Sequence, residues 1–181
     1  GELQYTDFGP PQAINSISNR AFVTLQKLTP NYKALFLALG NKLYRYNNPE
    51  NATVDKFNHE KSWNEITAVG KNNASTSLIS AIAFTSSSDL HYFFGTSAGK
   101  VFKVYVENGD TIVTPMSSPK FPANAFVSSI DVDSRNENHI IVSFSNYNVE
   151  SIFITTDGGD TWQPFGLNLE DSNKTLGWGP S

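Results

Sequence analysis

The sequence predicts an all-β chain. Three observations carry that prediction: short apolar runs rich in Ile, Val, Phe and Tyr, turn-forming residues between them, and a pattern that recurs about every 50 residues. The 181 residues give room for one domain or part of a larger one, and 39% of them are hydrophobic against 17% charged. Such a balance supports a substantial core and differs from the composition of a disordered chain.

Residues 1–20, with Gly9-Pro10-Pro11, read as a lead-in segment. Ala34 to Leu39 and Lys42 to Tyr46 are apolar runs of strand length, and Gly40-Asn41 joins them as a hairpin because Gly and Asn reach the positive φ of tight turns. Ile79 to Phe84 and His91 to Phe94 follow, separated by Ser86-Ser87-Ser88-Asp89. Ser97-Ala98-Gly99 then turns the chain into Lys100 to Val106, which ends at Asn108-Gly109. Phe126 to Val132 and His139 to Phe144 flank Asn136-Glu137-Asn138, and Ser151 to Thr155 runs into Gly158-Gly159. Residues 166–181 are polar, hold Gly177, Gly179 and Pro180, and read as a tail or linker.

Ile82, Phe84, His91, Tyr92 and Phe94 stand 48 residues before Ile130, Val132, His139, Ile140 and Val142. Farther along, Gly109-Asp110-Thr111 precedes Gly159-Asp160-Thr161 by 50 residues. An earlier copy is weaker: Lys42 to Tyr46 resembles Lys100 to Val104, and Trp63 lies 49 residues before Ile112, which lies 50 before Trp162. Four short strands in a period of this length match a propeller blade. The expected fold is therefore β-propeller-like, with about three four-stranded antiparallel blades at residues 21–68, 78–115 and 126–165. A β-sandwich built from the same strands is the alternative.

Within the third copy, Thr155, Asp157, Gly159, Thr161 and Trp162 fill the pattern Ser/Thr-x-Asp-x-Gly-x-Thr-Trp. This segment resembles the Asp-box, or bacterial neuraminidase repeat, of propellers such as sialidases, xyloglucan-degrading hydrolases, sortilin-like receptors and a photosystem assembly factor. The residue types suit a turn: the carboxylate accepts backbone N–H groups, Gly159 supplies positive φ, and the indole packs between sheets. The resemblance implies a structural turn between the third and fourth strands, away from the substrate side. The second copy keeps Gly109 and Thr111 but has Val106 and Ile112 in place of box residues, and the first keeps only Ser62-Trp63.

A net charge of −4, with the Lys and Arg scattered, argues against nucleic-acid binding. Without Cys there is no thiol catalysis, Cys-based zinc site or disulfide. No apolar stretch reaches the length of a membrane span. Met116 is the only Met, so a removed leader or a longer parent protein is expected. Ser, Thr and Asn make up 53 of the residues, a polar, uncharged background common in exported all-β proteins.

Sialidase-like chemistry requires three converging Arg, and neither Arg20, Arg45 nor Arg135 lies in the expected motif. Asp131 and Asp133 share a strand face but read as turn-capping residues beside Arg135. His91 and His139 occupy equivalent repeat positions, which favours a repeated structural role over a joint metal site, and His59 carries no ligand spacing. Asp157 and Asp160 offer oxygen ligands without an EF-hand spacing. No catalytic residue, metal ligand or cofactor is assigned. Of the aromatic residues Trp63, Tyr105, Tyr147 and Trp178, Tyr147 in the hairpin Ser145–Asn148 and Trp178 in the tail are the binding candidates.

The expected function is a non-catalytic binding or scaffold module of a secreted or cell-envelope protein, with a glycan or protein ligand. Part of a glycoside hydrolase whose catalytic residues lie outside this chain is the alternative. Because closed propellers have four to eight blades, self-association or completion by further blades of a longer protein is expected.

Overall fold

In a computed structural model, residues 24–51, 63–72, 77–86, 88, 90–116 and 118–166 are described. They form three four-stranded antiparallel sheets, each a meander in which consecutive strands pair. The contacts divide the chain into two compact units that meet in sequence between Leu78 and Ile79. The expected lead-in at residues 1–20 and most of the tail lie outside the described residues.

The first unit holds β1 (Gln26–Leu28), β2 (Ala34–Leu39), β3 (Lys42–Asn47) and β4 (Trp63–Glu65). β2 and β3 pair from Ala34 opposite Asn47 to Leu39 opposite Lys42, leaving Gly40-Asn41 as a two-residue turn. Leu37, Leu39, Tyr44, Tyr46 and Trp63 form one core cluster, in which the Trp63 ring meets Tyr46 edge-on at 5.4 Å. Lys42 Nζ lies 3.0 Å from Glu65 Oε2 and ties β3 to β4; hydrogen bonding to that carboxylate raises the Lys42 pKa. A short helix, α1 (Thr67–Asn72), follows β4 and buries Val69 completely. Six residues are too few for a helical period to show in the sequence.

The second unit holds two sheets. One contains β5 (Ile79–Phe84), β6 (Tyr92–Thr96), β7 (Val101–Glu107) and β8 (Asp110–Pro115). The other contains β9 (Val127–Val132), β10 (Ile140–Phe144), β11 (Ile152–Thr155) and β12 (Gln163–Pro164). All five residues of β6 are buried, which explains its uninterrupted apolar run. Ala81, Ala83, Phe93, Val101 and Met116 of the first of these sheets and the segment after it share a core with Val127, Ile130, Val142, Phe153 and Trp162. At Gly95 the two sheets approach closely, since an added Cβ would lie 2.3 Å from Val127 Cγ1. Ser80 Oγ and Ser86 Oγ reinforce the contact by donating to the carbonyls of Val127 (2.6 Å) and Ser134 (2.8 Å). Phe121, on the connection between β8 and β9, packs against Phe144, Phe153 and Trp162 with ring centroids 5.0–5.2 Å away.

The eight strands read from apolar runs are present in three sheets, so the sandwich alternative is not realised: strands remain with their sequence neighbours instead of being shared between two sheets. β1, β4 and β12 are two or three residues long, and β1 and β12 are exposed throughout, so they lack a readable alternation.

Candidate functional site

The turn after β11 is built around two side chains. Thr155, almost wholly buried at the end of the strand, donates its hydroxyl to Asp157 Oδ1 at 2.6 Å. The Thr155 hydroxyl oxygen in turn accepts the N–H groups of Asp157 (3.3 Å) and Gly159 (3.0 Å). Asp157 Oδ1 accepts the Thr161 N–H at 2.9 Å, and Oδ2 accepts the Thr161 hydroxyl at 2.5 Å. These hydrogen bonds, that from Thr155 foremost, hold the Asp157 carboxyl well below the usual carboxylate range. Gly159 has φ +101°, a conformation that side-chain-bearing residues seldom adopt, and an added Cβ would strike Met116 Cε at 2.1 Å. Trp162 then turns inward to the core.

At the opposite end of β11 stands the hairpin that joins it to β10. Tyr147 occupies the hairpin tip and is 75% exposed, and Asn148 takes positive φ beside it. The side chain of Asn146 accepts the Phe126 N–H, while Ser145 N–H donates to the Phe126 carbonyl at 3.0 Å. These bonds fix the hairpin to the start of β9. Phe126 is 40% exposed there, and Phe165, just after β12, is 56% exposed with its N–H bound to the Ile152 carbonyl. Three aromatic side chains therefore open to solvent at one end of the third sheet. Phe126 and Phe165 escaped the sequence reading because each adjoins a strand and reads as core; Pro164 immediately before Phe165 was the available sign of an edge.

The remaining candidates have local partners. Asp133 Oδ1 accepts the Arg135 N–H at 2.9 Å, and Asp131 Oδ1 accepts the Val132 N–H at 3.0 Å. The His91 and His139 carbonyls accept the Thr85 and Asp133 N–H groups, so both residues close the first hairpin of their sheet. Their rings are apart in role: His91 Nδ1 is 3.2 Å from Glu137 Oε2, and His139 Nδ1 is 3.6 Å from Asp133 Oδ2. Arg45 lies over the Phe36 ring at 5.7 Å. Trp63 is buried, and Tyr105 is half-buried on β7. Among the described residues, no group of three His, Cys, Asp or Glu side chains is arranged to hold a metal ion. Trp178, His59 and Arg20 lie outside the described residues.

No family model and no curated protein matches the sequence. Among solved structures, the chain is similar to YCF48 from Cyanidioschyzon merolae, with a TM-score of 0.59 and 13% identity over 85% of this chain and 44% of that one. It also aligns with the beta-propeller domain of Myceliophteria thermophila Cps50 (Swd1), with a TM-score of 0.49 and 8% identity over 81% of this chain and 41% of that one. The chain thus spans less than half the length of either structure. YCF48 is a BNR/Asp-box-like β-propeller, and the likeness extends to fold alone. The fold is all-β and propeller-like, three four-stranded antiparallel sheets that match part of a β-propeller.

Proposed function

We propose that the chain is a non-catalytic binding or scaffold module of a secreted or cell-envelope protein, holding a glycan or protein ligand at the aromatic end of its third sheet. The observation behind this reading is the joint exposure of Tyr147, Phe126 and Phe165 where backbone and Asn146 hydrogen bonds fix the hairpin. Aromatic rings carried on a fixed backbone offer apolar faces for sugar C–H surfaces or protein side chains at little conformational cost. Three sheets are fewer than the blades of a closed propeller, so completion by a second chain or by further blades belongs to the same reading.

The test is a titration with xyloglucan oligosaccharides, sialyllactose and a glycan array, alongside capture of protein partners by the wild type and by Tyr147→Ala. A ligand whose affinity falls about tenfold in Tyr147→Ala is expected, as for loss of one well-packed ring. Binding unaffected by that substitution would remove the assigned surface. Turnover of methylumbelliferyl glycosides by the chain would replace the reading with the glycoside hydrolase.

A further inference from the structure

A second surface lies at the other end of the third sheet. A groove of about 450 Å³ opens between β7, β8 and His91, the residue before β6, on one side and the turn after β11 on the other, lined by His91, Lys103, Tyr105, Thr114, Gly159 and Asp160 among others. This volume is within the range of small-ligand sites. Met116 closes part of the wall by packing on Gly159, where any side chain would displace it.

Of the described Lys side chains that lack a carboxylate partner, Lys27, Lys100 and Lys120 are exposed, and Lys103 in this groove is half-buried. Lys33 is paired with Glu50 at 2.7 Å and Lys42 with Glu65 at 3.0 Å. Lys103 is half-buried and has no carboxylate partner among the described residues; its Nζ lies 6.0 Å from the centre of the Tyr105 ring. The Tyr105 and Thr114 hydroxyls also have no hydrogen-bond partner among the described residues. Lys103 and Tyr105 are two apart on β7, and Thr114 pairs directly with Lys103, so all three side chains belong to one face of the sheet. His91 stands beside them with Nδ1 engaged by Glu137. Asp160 is exposed on the facing box turn.

We infer that this groove binds a small organic hydroxy acid, with its carboxylate on Lys103 and the Tyr105 and Thr114 hydroxyls and a neighbouring hydroxyl directed to Asp160. A half-buried ammonium that shares a groove and a sheet face with two hydroxyl donors suits a carboxylate, since hydrogen bonds involving ionised groups are the stronger class. One cation facing one anion suits a monoanion that carries a donor of its own. A phosphate dianion would face Asp160 with only one compensating cation, and a neutral polyol would leave Lys103 unpaired.

Sodium gluconate is the probe, with glucose and inorganic phosphate as comparisons at matched ionic strength, and the readout is the NMR signal of the Lys103 ε-CH2 and Tyr105 ring. A saturable gluconate shift is expected, weakened about tenfold or more in Lys103→Met and largely retained in Lys103→Arg. Tyr105→Phe keeps the ring and serves as a second variant should Lys103→Met fail to fold; it is expected to weaken binding severalfold. Tyr147→Ala is expected to leave gluconate binding unchanged, which separates this site from the aromatic end. The inference is overturned if gluconate gives no saturable shift, if binding survives Lys103→Met undiminished, or if glucose or phosphate binds as tightly as gluconate.

Discussion

Thr155 concentrates the energetics of the box turn in one hydroxyl, because it donates once and accepts twice while almost wholly buried. Thr155→Val preserves the shape and orphans those partners, so a loss of about 2 kcal/mol is expected in denaturant unfolding. Asp157 adds a dependence on pH. Its folded pKa is depressed, so its contribution is complete above the ordinary carboxylate value of about 4 and is lost as pH falls from there through the folded value. The thermal midpoint of the wild type should therefore drop more steeply below pH 4 than that of Asp157→Asn; parallel curves would mean that the carboxylate is not the acid-sensitive group. At Gly159 both the positive φ and Met116 oppose a side chain, and Gly159→Ala is expected to cost about 1–3 kcal/mol.

Between elements, the contact of the second and third sheets depends on what is missing at Gly95. β6 is buried along its length and meets Val127 of β9 with no room for a methyl group. Gly95→Ala should overpack this contact by about 1–3 kcal/mol, and Val127→Ala in the same chain should recover part of that loss although it is destabilising by itself. A double-mutant cycle measures the coupling, and strict additivity would show that the contact is not direct. The same contact explains an omission from the sequence reading. Gly95 sits inside an apolar strand and carries no local turn signal, because its role depends on a residue 32 positions away.

At the scale of the molecule, the described residues supply three four-stranded sheets, fewer than the blades of a closed propeller, and the chain spans 44% of YCF48. Light scattering across a concentration series is expected to return a mass above the 19.9 kDa of one chain. A single-chain mass at every concentration would remove completion by a second copy and leave further blades of the same protein as the remaining form of the proposal.

The sequence by itself determined the strands that alternate or stay apolar, the hairpins marked by Gly and Asn, and the repeat of four strands. These features are local, set by periods of two residues and by turns that require positive φ. The hydrogen bonds of the turn after β11 are local as well, since Thr155, Asp157, Gly159 and Thr161 bond within seven residues. Only the tertiary structure decided that Phe126 and Phe165 are exposed beside Tyr147, and that Lys103 and Asp160 face one groove from two sheets. Exposure and charge pairing depend on which distant segments cover a side chain, and no period in the chain encodes that.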